Sequence, residues 1–112
     1  MLLAIDVGNT NIHFGVYQDE SLVDHWRLGT DRDRTGDELG LMIGGLLANA
    51  SISFDQFHGV AISSVVPPLT PAVRHFVRRY VHLEPAIVGE NLRPRITVRY
   101  SPPEAVGADR LV

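Results

Sequence analysis

Apolar segments and short polar breaks alternate at the start of the chain. Residues 1–7 form an apolar segment that stops at Gly8 and small polar residues, and a second apolar segment runs from Ile12 to Tyr17. Two such runs around a glycine-containing break predict a strand, a tight turn and a strand. The loosely alternating residues 22–28 follow another polar turn and predict a third antiparallel strand. A three-stranded meander is therefore expected first.

The apolar spacing then changes from that of a strand to that of a helix. Thr35-Gly36-Asp37-Glu38 follows a charged loop at 29–34 and has the pattern of a capping box, in which two side chains satisfy amides at a helix start. The apolar positions that follow form one helical face: Leu39, Met42, Ile43, Leu46, Leu47 and Ala50. Gly36, Gly40 and Gly44 lie four apart on another face. Since each lowers helix propensity, they predict close approach of another element.

Strands and helices alternate in the remainder of the chain. The pattern predicts a buried strand at 57–66, a helix at 68–82, a short strand at 84–88, an edge strand at 95–100 and a helix from about Pro103. A meander followed by helical crossovers predicts an α/β fold with a mixed, ribonuclease-H-like sheet and flanking helices. In such a sheet, the first hairpin and the ends of later strands open onto one cleft.

Two groups of polar residues in this half have competing interpretations. Ser63 and Ser64 could face a cleft, but small polar residues commonly end a strand, and we favour that interpretation. The second helix also carries a basic face: Arg74, His75, Arg78, Arg79 and His82. This face could bind nucleic acid, but it lacks flanking basic or aromatic support. Cations near a helix C-terminus are favoured by the helix dipole, so a solvated face is the preferred interpretation.

Composition excludes several classes of function. The 112 residues correspond to one domain at most, and 10 basic against 13 acidic residues give a net charge of -3. This balance implies no general affinity for polyanions, and no nucleic-acid partner is expected. All ten basic residues are arginines, so there is no P-loop lysine. Without cysteine there is no disulfide, no cysteine–zinc site and no thiol nucleophile.

The two ends of the chain carry information on location and extent. The N-terminus lacks the basic region and cleavage site of a signal peptide, and no apolar run approaches membrane-spanning length. A cytoplasmic location with no membrane partner is therefore expected. Arg110-Leu111-Val112 ends within the first turns of a predicted helix, without a cap. We therefore expect residues 1–112 to be an N-terminal lobe, incomplete at its C-terminal end.

The first turn offers the strongest candidate chemistry. Asp6 lies where the first strand ends, and Asn9, Thr10 and Asn11 add short polar groups around Gly8. Glycine reaches backbone conformations closed to other residues, so turn amides could approach an anion. A carboxylate can hold hydrated Mg²⁺ while such a turn holds phosphate oxygens, which predicts a metal–triphosphate site. The alternative is an ordinary hairpin whose polar side chains satisfy their own turn.

Four motifs in order give the chain a family resemblance. They are Asp6-Val7-Gly8-Asn9-Thr10-Asn11, Thr35-Gly36-Asp37-Glu38, Ile62-Ser63-Ser64-Val65-Val66-Pro67 and Gly107-Ala108-Asp109-Arg110. Together they resemble the N-terminal half of a type III pantothenate kinase, a family in the superfamily of acetate and sugar kinases, actin and heat-shock chaperone ATPases. The resemblance spans essentially the whole chain. It implies the first lobe of a two-lobe kinase, with the second lobe absent here.

The resemblance also implies a reaction and its partners. The implied reaction is the ATP-dependent phosphorylation of pantothenate to 4'-phosphopantothenate, which is the first step of coenzyme A biosynthesis. The implied assembly is a homodimer. It further implies Mg²⁺ and a monovalent cation, K⁺ or NH₄⁺, whose site lies outside this chain. We expect the isolated 112-residue lobe to be inactive, because its cleft would lack one wall.

Site residues follow from the same resemblance. The ATP- and phosphate-binding segment would comprise Asp6, Val7, Gly8, Asn9, Thr10, Asn11, Ile12 and His13, with Asp6 organising Mg²⁺ through water. The pantothenate-binding positions would be Tyr100, Gly107, Ala108, Asp109 and Arg110, with Asp109 the general base and Arg110 holding the anionic substrate. A carboxylate with small neighbours can orient or deprotonate an attacking hydroxyl.

Residue chemistry alone leaves simpler interpretations open. Asp109 could be a helix-surface carboxylate paired with arginine, Tyr100 an edge-strand aromatic and His13 a packing residue. Asp6 is better supported, since a carboxylate at the end of an apolar strand is costly unless it binds something.

Three other functions compete with the kinase. A silent accessory homologue that binds nucleotide would show damage to the hairpin or to the Gly-Ala-Asp-Arg segment, yet both are intact. A ribonuclease-H-like nuclease would need clustered carboxylates and a basic face. An actin-like structural ATPase would need a polymer interface, which a sequence does not reveal.

Overall fold

Five strands and two helices make up residues 1–89, the part of the chain that the computed structural model describes. The strands are β1 Leu2–Val7, β2 Asn11–Gln18, β3 Ser21–Gly29, β4 Gly59–Ser64 and β5 Ala86–Ile87. The helices are α1 Gly36–Asn49 and α2 Thr70–Phe76. Short 3-10 turns cover Phe54–Gln56 and Pro67–Leu69, and a π-helical turn, Val77–Val81, continues α2. Among these residues, no helix is long and apolar enough to cross a membrane.

The strands form one mixed sheet in the order β3-β2-β1-β4-β5. β1 pairs antiparallel with β2, and β2 pairs antiparallel with β3, which confirms the predicted meander. β4 lies parallel to β1, and β5 lies parallel to β4, so each is reached by a crossover through helical structure. The predicted α/β fold with a mixed, ribonuclease-H-like sheet is confirmed.

Side-chain alternation divides the sheet into two chemically different faces. The odd-numbered residues of β1, Leu3, Ile5 and Val7, are buried in one cluster with apolar residues of both helices. Residues such as Leu39 in α1 and Phe76 in α2 belong to this cluster. Because successive side chains of a strand point to opposite faces, the even-numbered residues of β1, Asp6 among them, lie on the other face.

The capping box predicted for α1 is present. Thr35 Oγ1 accepts a hydrogen bond from the Glu38 amide at 3.1 Å, and Glu38 Oε1 accepts one from the Thr35 amide at 2.8 Å. These two bonds satisfy amides that a helix start leaves without partners, and they fix α1 to begin at Gly36.

The three glycines spaced along α1 contact the second helical segment (residues 67–81, α2 with the turns at its two ends) and the turn Phe54–Gln56 before β4. A Cβ added at Gly36 would lie 2.5 Å from Cδ2 of His75, and one at Gly40 would lie 2.8 Å from Cδ2 of Tyr80. At Gly44 the added atom would lie 3.1 Å from the ring of Phe54. The predicted close approach of another element is therefore confirmed, and it explains why α1 tolerates residues with poor helix propensity.

Gly36→Ala is expected to lower the free energy of unfolding by about 1–3 kcal/mol, the usual cost of forcing an atom into packed structure. The added carbon would also meet the carbonyl oxygen of Ala72 at 2.8 Å, a backbone atom that cannot rotate away. Gly45→Ala on the same helix is the matched control, because nothing lies within 4 Å of its added Cβ. We expect Gly45→Ala to raise stability by about 0.5–1 kcal/mol through helix propensity. Urea unfolding of the full-length protein measures both, and equal stabilities would contradict the packing argument.

The second helical segment differs from the prediction in its form. The predicted single helix at 68–82 is helical almost throughout, but it is a 3-10 turn, a short α-helix and a π-helical turn in series. The amide of His82 bonds to the carbonyl of Val77 at 2.9 Å, an i to i+5 bond that widens the last turn. His82 then ends the segment with φ at 62°, in the left-handed region.

The other predicted elements of this half are shorter in the structure. The strand expected at 57–66 is confirmed only for its central part, because the turn Phe54–Gln56 precedes it and Val66 leads into the next turn. The short strand expected at 84–88 is reduced to Ala86–Ile87.

The basic face of this segment is exposed and partly ion-paired. Arg78 forms a bidentate pair with Glu84, with Nε 2.9 Å from Oε1 and Nη2 2.7 Å from Oε2. His75 and Arg79 lie 3.8 and 3.6 Å from Oδ1 of Asp37. These contacts agree with the preferred interpretation of a solvated face.

Asp37 joins the start of α1 to the π-helical turn. Its Oδ1 accepts a hydrogen bond of 2.7 Å from the hydroxyl of Tyr80, and the His75 and Arg79 side chains flank it. The hydrogen bond from Tyr80, together with the charges of Arg79 and His75, lowers the pKa of the Asp37 carboxyl below its ordinary value of 3.8. The same bond raises the pKa of Tyr80, because ionising the phenol would place two negative charges together.

This contact predicts a pH-dependent contribution to stability. Because the folded pKa of Asp37 is lowered, its contribution is present above the ordinary value of 3.8 and is lost as pH falls through the folded pKa. Because the folded pKa of Tyr80 is raised, its contribution is present below the ordinary value of 10.0 and is lost as pH rises. The stability difference between wild type and Asp37→Asn should therefore shrink in acid, as measured by urea unfolding at several pH values.

A double-mutant cycle at neutral pH tests the same contact. Tyr80→Phe should lower the free energy of unfolding less in the Asp37→Asn background than in wild type. Additive effects would show that the two side chains do not interact.

Candidate functional site

The site is built around the turn between β1 and β2. The amide of Gly8 donates to the carbonyl of Asn11 at 2.9 Å and closes the turn, leaving Asn9 and Thr10 exposed at its tip. The amide of Gly8 is thus used within the turn. Amides that could reach an anion therefore belong to the residues after it, Asn9 and Thr10.

The expected reason for a glycine at position 8 is wrong. Among the described glycines, a positive φ occurs only at Gly89, so Gly8 adopts no conformation closed to other residues. Its requirement is space, because an added Cβ would lie 3.0 Å from the carbonyl oxygen of Asn11. A side chain would push against the bond that closes the turn.

Asp6 lies at the centre of a polar row across the sheet. The strand registers place His13 opposite it on β2 and Ser63 opposite it on β4, and Arg27 on β3 lies opposite His13. Residues in register share a face, so these four side chains lie in one row on the face opposite the core. Asp6 is half-buried, and its Oδ1 is buried. In this row the carboxylate of Asp6 lies between the basic residues His13 and Arg27 on one side and the hydroxyl of Ser63 on the other.

The two serines at the end of β4 have different surroundings. Ser64 Oγ accepts hydrogen bonds from the amide of Val66 at 3.1 Å and from Thr70 Oγ1 at 3.2 Å. The amide of Val65 donates to the carbonyl of Val7 at 3.0 Å, which extends the contact between β1 and β4 beyond β4. Ser64 thus ends its strand, as the preferred interpretation held, whereas Ser63 lies in the row with Asp6.

The loop after β3 contacts the turn, which sequence reasoning missed. Thr30 Oγ1 donates to the carbonyl of Gly8 at 2.8 Å, and the Thr30 amide donates to the carbonyl of Thr10 at 2.8 Å. Arg32 Nη2 lies 3.4 Å from Oδ1 of Asn9. The predicted meander was the signal that could have revealed this contact. Antiparallel pairing of β2 and β3 places Gly29 opposite Asn11, so the next residue, Thr30, lies beside the turn.

The predicted phosphate-binding segment divides into core and surface residues. Val7 and Ile12 are 0% and 1% exposed, so they belong to the core and present almost no surface to a ligand. Asp6, Gly8, Asn11 and His13 are half-buried, and Asn9 and Thr10 are exposed. The structure therefore assembles this segment around one turn and one polar row.

The remaining predicted site residues lie outside the described part of the chain. They are Tyr100, Gly107, Ala108, Asp109 and Arg110, together with the edge strand expected at 95–100 and the helix expected from Pro103. Their proposed roles stay predictions.

The turn fits a hydrated magnesium–triphosphate. Within residues 1–89 there is no group of three or more histidine, cysteine or acidic side chains placed to hold a metal ion. One carboxylate with water and phosphate oxygens is the usual way in which proteins hold Mg²⁺ beside a nucleotide. Asp6 supplies such a carboxylate, and the turn that follows it supplies exposed backbone at Asn9 and Thr10.

A solved structure with the same fold is a proposed N-acetylglucosamine kinase from Porphyromonas gingivalis. It has a TM-score of 0.57 and 13% sequence identity, covering 79% of this chain and 33% of that one. At this identity the likeness shows the fold alone.

Sequence comparison gives closer relatives. The chain is 45% identical over 112 residues to the type III pantothenate kinase of Halalkalibacterium halodurans and 43% identical to that of an Exiguobacterium species. Each match covers the whole of this chain and 44% of the relative, so the chain spans less than half the length of the curated relatives. The family model for type III pantothenate kinase matches residues 2–112. The chain belongs to the type III pantothenate kinase family.

Proposed function

We propose that this chain is the N-terminal lobe of an enzyme that phosphorylates pantothenate with ATP, giving 4'-phosphopantothenate in the first step of coenzyme A biosynthesis. The observation that carries the proposal is the half-buried Asp6 beside an exposed glycine turn, in a chain of this family. Phosphoryl transfer relies mostly on positioning and charge neutralisation, and this geometry suits both.

The described residues would act on the nucleotide. Asp6 would hold Mg²⁺ through bound water, and backbone amides of Asn9 and Thr10 would bind phosphate oxygens. Bound Mg²⁺ would supply charge neutralisation on the phosphate chain. His13, beside Asp6 in the row, would add a donor on the same face.

The remaining residues would act on the acceptor alcohol. Asp109 would be the general base for the pantothenate hydroxyl, and Arg110 would pair with the anionic substrate. Tyr100, Gly107 and Ala108 would shape the pocket. The order of the family motifs supports these assignments.

The whole protein would be larger than this chain. A second lobe would close the cleft and carry the monovalent-cation site for K⁺ or NH₄⁺, and two copies would form a homodimer in the cytoplasm. The coverage of 44% of each relative supports a missing second lobe. On this basis residues 1–112 alone would be inactive.

The test is ATP consumption by the full-length gene product with and without pantothenate. We expect ADP formation that depends on pantothenate, and a product with the mass of 4'-phosphopantothenate. Folded protein that binds Mg-ATP but does not turn over would support the accessory homologue instead. Turnover with another alcohol but not with pantothenate would show that pantothenate is not the substrate.

A further inference from the structure

The loop after β3 clamps the phosphate-binding turn at two points. Thr30 donates its hydroxyl to the carbonyl of Gly8 and its amide to the carbonyl of Thr10, each at 2.8 Å. Thr30 is half-buried, and it lies 22 residues from Gly8 in sequence. These bonds join one residue to both sides of the turn tip.

The bond to the carbonyl of Gly8 also fixes the direction of one of the turn's donors. A peptide unit is planar and trans, so its N–H points opposite to its C=O. The carbonyl of Gly8 shares a peptide unit with the amide of Asn9, one of the two amides proposed to bind phosphate. Holding this carbonyl toward Thr30 therefore directs the Asn9 amide away from Thr30, while the bond to the carbonyl of Thr10 holds the other end of the turn tip.

We infer that Thr30 is a positioning residue, which preorganises the Asn9 amide of the turn for the phosphate chain of the nucleotide. The inference rests on the proposed function, because it assumes that this turn binds phosphate. Donors fixed before binding bind more tightly, since the ligand does not have to order them. The hydroxyl is the part of Thr30 that can be tested, because its amide remains in any variant other than proline.

The test compares Thr30→Val with Thr30→Ser in the full-length protein. Valine keeps the size and branching of threonine without the hydroxyl, whereas serine keeps the hydroxyl. We expect Thr30→Val to weaken binding of Mg²⁺ with a non-hydrolysable ATP analogue by about tenfold, the effect of one lost hydrogen bond with an acceptor left unsatisfied. The KM for ATP should rise in parallel and the KM for pantothenate should stay within about twofold. Thr30→Ser should restore most of the affinity.

Thr35→Val is the matched control for stability. It makes the same substitution and removes a hydrogen bond of 3.1 Å, but at the cap of α1. It should lower the melting temperature without changing the affinity for the ATP analogue.

The outcomes separate the inference from the proposed function. Unchanged affinity for the analogue in Thr30→Val, or a loss of active protein with an unchanged KM for ATP, would overturn the positioning role alone. A wild-type protein that binds no nucleotide would overturn the proposed function and the inference together.

Discussion

Asp6→Asn is expected to lower kcat/KM for ATP by about a thousandfold, while the protein stays folded. Asparagine keeps the shape of the side chain and removes the negative charge that would hold hydrated Mg²⁺ beside the phosphates. Loss of one preorganised electrostatic group in an active site costs about a hundred- to a thousandfold. We expect the upper end because Asp6 is the one carboxylate in the row that crosses the sheet.

The measurement is the rate of ADP formation over a range of Mg²⁺ concentrations. The variant should need more Mg²⁺ to reach half of its maximal rate, because the remaining ligands hold the ion less well. Asp24→Asn is the matched control. Asp24 is exposed on β3 and accepts a hydrogen bond from the neighbouring amide of His25. A Mg²⁺ requirement that is the same in wild type and Asp6→Asn would remove Asp6 from the metal site.

The features that the sequence predicted well are those encoded locally. For β1 and β2, two apolar runs on either side of a glycine-containing break identify the strands and the turn between them, because neighbouring residues carry the whole signal. The capping box was predictable for a similar reason. Its hydrogen bonds join residues three apart, so Thr35 and Glu38 are sufficient to identify it.

The features that the sequence did not predict depend on packing between distant elements. Residues 68–82 have one helical pattern, but the sequence does not show that its last turn widens at His82. Tyr80 and Asp37 are 43 residues apart, and their hydrogen bond follows from how α1 packs against the second segment. Glycines 36, 40 and 44 indicated such packing without identifying the partner.

The candidate site shows the same division. Asp6 and its turn were found because strand, glycine and polar residues are contiguous. The role of Gly8 was misread, because a short contact to Asn11 cannot be told from an unusual backbone angle in a sequence. Thr30 was missed because its bonds to the turn depend on the register between β2 and β3. Site residues contributed by neighbouring strands can be identified only when the register between those strands is known.

Asp109→Asn is expected to lower kcat by about a thousandfold and to leave affinity for the ATP analogue within about twofold. The proposed base acts on the pantothenate hydroxyl, so its loss should slow phosphoryl transfer without weakening nucleotide binding. Asparagine keeps the size of the side chain but cannot take a proton. General-base catalysis contributes about a hundred- to ten-thousandfold, which sets the scale of the loss.

Single-turnover formation of phosphopantothenate by the full-length protein measures this effect, with analogue binding and Mg²⁺ dependence measured beside it. The two carboxylates should then separate: Asp6→Asn raises the Mg²⁺ requirement, and Asp109→Asn does not. A near-normal rate in Asp109→Asn would remove Asp109 from the role of base. If Asp109→Asn reached a normal rate only at high Mg²⁺ concentration, Asp109 would instead be a second metal-binding carboxylate. Because each carboxylate is assigned to a different reactant, each variant should change the kinetics of its own reactant.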